Sequence, residues 1–245
     1  MTSTTYENGR LCNQIFRNLA VSFLAEKFNL KVDYANREMM ERLGLSLYSG
    51  EKEYATTTVL TDHNYFSVYH AKEWTSNLDP NADYFQTVYI SHFLYAYLTA
   101  DPIKTNIMSN NPFCHRYNNN RDAYVHVRLG DADMHNPGSA YYIHVLRNLS
   151  FDHLYVSTDS PDHPILQELS TAYPNAILVD MDEVSTIQLA STCKYVVLSH
   201  GSFSAMIGYL AFYSEVHYPE YGDTMWHGDI FSIDTWIEHK KRRIT

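Results

Sequence analysis

The sequence predicts an α/β protein whose strands run parallel and whose helices cover both faces of the sheet. Three observations carry this. Between residues 123 and 218, five short apolar β-type runs alternate with four helical stretches of crossover length. Glycine-containing polar turns, such as Leu129-Gly130-Asp131 and Ser199-His200-Gly201, follow two of those runs. The chain has 245 residues, 45% hydrophobic and 19% charged, enough for one large domain or two small ones with a proper core.

Taken in order, residues 13–28 read as a helix, because Ile15, Phe16, Leu19, Ala20, Phe23 and Leu24 recur on one face. A short strand is expected at 30–34. Residues 38–81 show little periodicity beyond a candidate strand at 57–60. Helices are expected at 85–99 and 103–109. The stretch 110–122, with Pro112 and the Asn118-Asn119-Asn120 run, reads as a linker. It divides a reduced N-terminal domain, 1–118, from a C-terminal domain, 119–245. In the latter, strands are expected at 123–127, 153–157, 176–179, 195–199 and 215–218. The helices between and after them fall at 140–148, 164–172, 184–192 and 202–212. A last helix, 233–241, ends in Lys240-Lys241-Arg242-Arg243, whose charge suits a helix C-terminus and a solvated end.

Composition narrows the function. A net charge of −10 disfavours non-specific binding to nucleic acid or anionic membranes. Three cysteines, an odd count without C-x-x-C spacing, argue against a disulfide framework or zinc cluster and for a reducing compartment. No apolar run approaches the roughly 20 residues of a membrane span, and the N-terminus lacks a signal-peptide pattern. The expectation is a cytoplasmic protein without stable membrane insertion. Twenty-one tyrosines suit sugar or partner surfaces without proving either.

The candidate chemistry sits at strand ends, where open α/β sheets bind ligands. His126-Val127-Arg128-Leu129-Gly130-Asp131 closes the strand at 123–127. The fork of Arg128 matches phosphate oxygens, but Arg128 and Asp131 also lie in one turn and suit a local ion pair. His126 shares the side of Arg128 and is either a phosphate or sugar donor or a hydrogen-bonded core histidine. The run Ser199-His200-Gly201-Ser202-Phe203-Ser204 opens a helix, with Ser202 a competent N-cap; the helix-start amides form either an anion site or an ordinary capped end. Asp159, in Ser157-Thr158-Asp159, either caps the next helix or contacts a nucleotide. Asp131-Ala132-Asp133 and Asp180-Met181-Asp182 are D-x-D strings that suit a diphosphate's metal or, equally, solvated turns. The arginine-plus-helix cradle makes a metal unnecessary, and none is assigned. In Gly9-Arg10-Leu11-Cys12-Asn13-Gln14, Asn13 is a candidate helix cap. No G-x-G-x-x-G follows a first strand, which argues against a Rossmann-type oxidoreductase.

Together these runs resemble the metal-independent inverting fucosyltransferases, nearest the α1,2-fucosyltransferase family (glycosyltransferase family 11). That family's G-x-L-G-N-Q run is matched at 9–14, its H-x-R-R-G-D at 126–131 and its S-N-S-S-F-S at 199–204. Ser157-Thr158-Asp159 is a weaker S-D-D-like match, and Asp83-Tyr84-Phe85-Gln86 resembles an aromatic-Gln segment before the central motif. Cys12 replaces a glycine, Leu129 the second arginine, and His200-Gly201 an Asn-Ser pair. The resemblance implies a GT-B-like fold, two Rossmann-like domains with the donor held mainly by the second. It implies a donor nucleotide sugar, GDP-L-fucose or a relative, a glycan acceptor, and no cofactor. In that reading Arg128 stabilises the leaving diphosphate with the amides and hydroxyls of Ser202, Phe203 and Ser204, and His126 contacts phosphate or sugar. Asn13 comes from the opposite domain to the reacting centre, and Asp131 accepts the acceptor hydroxyl's proton or orients it, or instead holds Arg128 in place. Asp159 and residues 182–186 face the nucleoside. The alternatives are a metal-dependent D-x-D glycosyltransferase using another nucleotide sugar, and a catalytically degenerate nucleotide-sugar-binding protein.

Overall fold

The computed structural model describes residues 2–221 and 230–240. The chain divides into two compact units. The described part of the first is 2–107 with Ile230, and that of the second is 108–221 with 231–240. This division precedes the 118/119 boundary expected from the linker. The reason is that the linker is stitched into the second unit: Asn111 Nδ2 donates to Gln188 O (2.9 Å) and Arg116 Nε to Thr192 Oγ1 (3.1 Å). Among the described residues no helix is long and apolar enough to cross a membrane.

In the first unit the elements run β1 (Ser3–Thr4), α1 (Leu11–Phe28), β2 (Val32–Asp33), α2 (Arg37–Arg42), β3 (Thr57–Val59), α3 (Tyr65–His70), β4 (Asn77–Asp79), α4 (Val88–Thr99) and α5 (Ile103–Asn110, which runs on into the second unit). Strands β1 and β2 form one parallel pair, β3 and β4 another. Side chains join the two pairs: Leu78 N donates to Ser3 Oγ (2.9 Å) and Asn81 Nδ2 to Thr4 O (3.0 Å). Helix α1 supplies the core, with Ile15, Phe16, Leu19, Ala20 and Leu24 buried as the 3.6 periodicity requires. Helix α4 starts later than expected, because Phe85 has φ +58° and Thr87 caps Ile90 N. Residues 38–81, nearly featureless as sequence, hold most of α2 and all of α3, β3 and β4. Their elements are three to six residues long, too short to show a period.

The second unit continues with β5 (Ala123–Val127), α6 (Ser139–Leu146), β6 (Leu154–Thr158), α7 (Pro164–Ala172), β7 (Ile177–Leu178), α8 (Glu183–Ala190), β8 (Tyr195–Val197), α9 (Gly201–Leu210), β9 (Glu215–Pro219) and β10 (Ile237–His239). All six strands are parallel, in the order β10-β9-β8-β5-β6-β7. The chain builds outward from β5 through β6 to β7, then returns to the other side of β5 through β8. The strand order therefore reverses between β5 and β8, the topological switch point where such sheets form a crevice at their carboxyl ends. Helix α6 packs beside α7 and α8 beside α9. Ala123, Val125 and Val127 meet Tyr142, Val145 and Leu146 of α6 in one buried cluster, while His126 turns to α9.

The expected helix at 233–241 is instead an irregular run ending in edge strand β10, paired with β9. Its Trp236 lies so close to Gly208 of α9 that a Cβ there would stand 2.5 Å from the indole. With Trp236 anchored, residues 237–239 extend along the open edge of β9, and backbone pairing outweighs a weak local helical pattern. Lys241, Arg242 and Arg243 of the basic tail lie outside the described residues.

Candidate active site

The site of the second unit is built from the loops after β5, β6 and β8. Register places Val127 opposite Thr158, so Arg128 and Asp159 come level just beyond the strands. The Arg128 guanidinium is held by two carboxylates: Nη1 pairs with Asp159 and Nη2 with Asp131. Asp159 also accepts Leu129 N at 2.9 Å. It does not cap α7; that position is His163, whose Nδ1 accepts from Ile165 N. Gly130 has φ +55°, and a Cβ there would come within 2.9 Å of Asp159 Oδ2 and 3.3 Å of Arg128 Nη1. Only glycine combines that left-handed turn with so close an ion pair.

Leu129, where the family resemblance expects an arginine, is fully buried in the cluster with Val127 and Tyr142. Its side chain faces the core, so the missing arginine takes no contact from the carboxylate pair.

Across the switch point, α9 begins at Gly201, whose φ of +88° turns the chain out of β8. His200, rather than Ser202, holds the N-cap position, and its side chain makes no cap hydrogen bond. Ser202 and Phe203 form the first turn, with the Phe203 ring packed 5.0 Å from the His126 ring. No acidic residue stands in that turn, so its amides and the helix dipole face the crevice uncompensated by a carboxylate of α9 itself. Ser204 turns inward. Its fully buried hydroxyl accepts Ser199 N (3.0 Å) and bonds His126 Nδ1 (2.6 Å). Both residues, expected to face a donor, are thereby hydrogen-bonded to each other and position the α9 turn against β5.

A second chain of bonds, which sequence reasoning missed, closes the network. Asn136 Nδ2 donates to Arg128 O (2.8 Å) and to the Tyr142 hydroxyl (3.0 Å), which donates to Ser199 Oγ (3.0 Å). Burial pushes the Tyr142 phenol above its ordinary pKa, keeping it a neutral donor. The loops after β5 and β8 are thus tied through one buried tyrosine. The turn signal Asn136-Pro137-Gly138 was available in the sequence; the bridging hydroxyl, on a helix that reads as core, was not. Of the D-x-D residues, Asp131 binds Arg128 and Asp182 caps α8 through Ser185 N (2.9 Å). Among the described residues no group of three or more His, Cys, Asp or Glu side chains is arranged to hold a metal ion.

Asn13 belongs to the first unit. It is not the cap of α1, which is Arg10; it lies in the first turn, where its Oδ1 accepts from Gln86 Nε2 (2.8 Å). Gly9 (φ +81°) passes so close that a Cβ would meet Asn13 Nδ2 at 2.8 Å and the Tyr84 ring at 2.9 Å. Buried Arg17 donates to Tyr6 O, Asn8 O and Asp83 O (3.1–3.2 Å) beneath the Tyr84 ring. The two sequence runs 9–14 and 83–86 therefore meet.

No protein-family model and no curated protein sequence matches the chain. Solved structures do. The E. coli heptosyltransferase WaaC with ADP aligns with TM-score 0.54 at 10% identity, over 98% of this chain and 93% of that chain. The same enzyme with ADP-2-deoxy-2-fluoro heptose aligns with TM-score 0.53 at 9% identity, over the same shares. These neighbours are heptosyltransferases rather than fucosyltransferases, and at such identity the likeness carries fold alone. The chain has the α/β, parallel-sheet, GT-B-like fold of these glycosyltransferase structures.

Proposed function

We propose that the chain is an inverting glycosyltransferase that takes a nucleoside-diphosphate sugar and transfers the sugar to a glycan hydroxyl. The observation that carries this is the placement of Arg128 and of the first turn of α9, which has no acidic residue, after the neighbouring strands β5 and β8 at the switch point. The acceptor hydroxyl oxygen attacks the anomeric carbon as the bond to the diphosphate breaks, and its proton passes to the departing phosphate oxygen or to water. Negative charge grows on the leaving phosphate, where Arg128 and the amides of Ser202 and Phe203 stabilise it. This supply of positive charge works without a metal. The ion pair of Asp131 with Arg128 favours a role at that guanidinium for the carboxylate over that of proton acceptor.

GDP-L-fucose is the donor that the motif resemblance supports. The solved neighbours, crystallised with ADP and an ADP-heptose analogue, support the broader class of nucleoside-diphosphate sugars. A thermal-shift panel of GDP, ADP, UDP and dTDP, with and without EDTA, tests the reading. One nucleotide is expected to stabilise the protein in EDTA, and Arg128→Ala to abolish that shift. Stabilisation only with a divalent metal supports a D-x-D enzyme, and no shift by any nucleotide overturns the proposal.

A further inference from the structure

We propose that Asp131 occupies the place on the Arg128 guanidinium that a phosphate oxygen takes, so that diphosphate binding exchanges one carboxylate for phosphate while the other stays. This rests on the reading of the β5/β8 crevice as a diphosphate site.

Charge favours the exchange. The Arg128 guanidinium stands between two carboxylates, and a diphosphate brought beside it meets less repulsion once one of them leaves. The two partners are unequal. The Asp159 side chain is 25% exposed, bonded to Leu129 N as well as to Nη1, and backed by Gly130, where even a Cβ has no room. The Asp131 side chain is 70% exposed and sits in a short 3-10 turn whose next residue, Ala132, has non-helical dihedrals (φ −135°, ψ 22°). The Arg128 side chain is only 12% exposed and also bonds Leu129 O through Nη1 (3.2 Å), so it stays while Asp131 moves. Departure of Asp131 vacates Nη2 for a phosphate oxygen and returns a mostly exposed carboxylate fully to water. Asp159 then acts as the fixed anchor and Asp131 as a tethered competitor that sets the affinity threshold for an anion.

Calorimetric titration of the full chain with inorganic pyrophosphate, GDP, ADP and UDP in EDTA buffer tests this, using wild type, Asp131→Asn and Asp133→Asn. The latter removes one charge from the same exposed turn, so it measures the general field. Asp131→Asn is expected to tighten pyrophosphate and the preferred nucleotide about two- to fivefold. Asp133→Asn is expected to change them less than about twofold. A gain in affinity cannot arise from structural damage, and the thermal midpoint of Asp131→Asn checks that it folds. Unchanged or weaker binding by Asp131→Asn, with a wild type that binds, overturns the exchange and leaves the diphosphate site standing. Equal tightening by Asp133→Asn overturns it in favour of a general charge effect. Binding of none of the four ligands by any of the three proteins overturns the diphosphate reading itself, and the exchange with it.

Discussion

Replacing Ser204 by alanine separates a positioning serine from a ligand-binding one. Its hydroxyl serves two buried groups, Ser199 N at 3.0 Å and His126 Nδ1 at 2.6 Å, with Ser199 and Ser204 fully buried and His126 only 5% exposed. Alanine leaves both without that partner and leaves no path for water to replace it. Each orphaned buried polar group costs about 1–3 kcal/mol, so Ser204→Ala should destabilise the second unit by about 2–6 kcal/mol. Against a typical domain stability of about 5–15 kcal/mol, that is readily measured. Urea unfolding followed by circular dichroism gives the global figure, and amide exchange over β5 and β8 localises it. Ser202→Ala, in the first turn of α9 and only half-buried, is the matched control. It should cost about 1 kcal/mol or less while weakening nucleotide binding. Stability of Ser204→Ala within about 0.5 kcal/mol of wild type, with exchange in β5 and β8 unchanged, refutes the positioning argument.

Two further outcomes follow from burial. Leu129→Arg, which restores the arginine pair of the fucosyltransferase motif, should cost about 4 kcal/mol or more, because the new cation enters an apolar cluster without a partner. Its thermal midpoint decides; a wild-type midpoint with tighter diphosphate binding contradicts the assignment of Leu129 to the core. In the first unit, burial and then the neighbouring Asp83 push the Asp62 carboxyl up to about 6. Its proton is held more tightly in the folded state, so the benefit is full below about pH 4 and disappears as pH rises past 6. Asp62→Asn should therefore gain about 1 kcal/mol at pH 7, a figure lowered for partial solvent screening, and nothing at pH 4. Parallel stability–pH curves for the two proteins would sink that account.

Much of the second unit was legible because its helices, eight to ten residues long, and its five-residue strands β5, β6 and β9 are long enough to show a period. Helix α7 matches its expected range, and β5 to β9 appear in the expected places. The first unit resisted, since three-residue strands and six-residue helices carry no period and side chains such as Ser3 and Asn81 replace part of the backbone pairing. The 233–241 segment misled for a related reason: the partner that makes it a strand, β9, is remote in sequence.

By itself the sequence determined that an arginine and a helix start stand at the carboxyl ends of parallel strands, because strand, turn and helix follow one another locally. The local ion pair of Arg128 with Asp131 was also open to it, both residues lying in one turn. Only the tertiary structure decided that Asp159 is the second anchor, that Ser204 and His126 hold each other, and that Leu129 faces the core. Those pairings depend on strand register and on which face each strand buries, and both emerge only when distant segments pack.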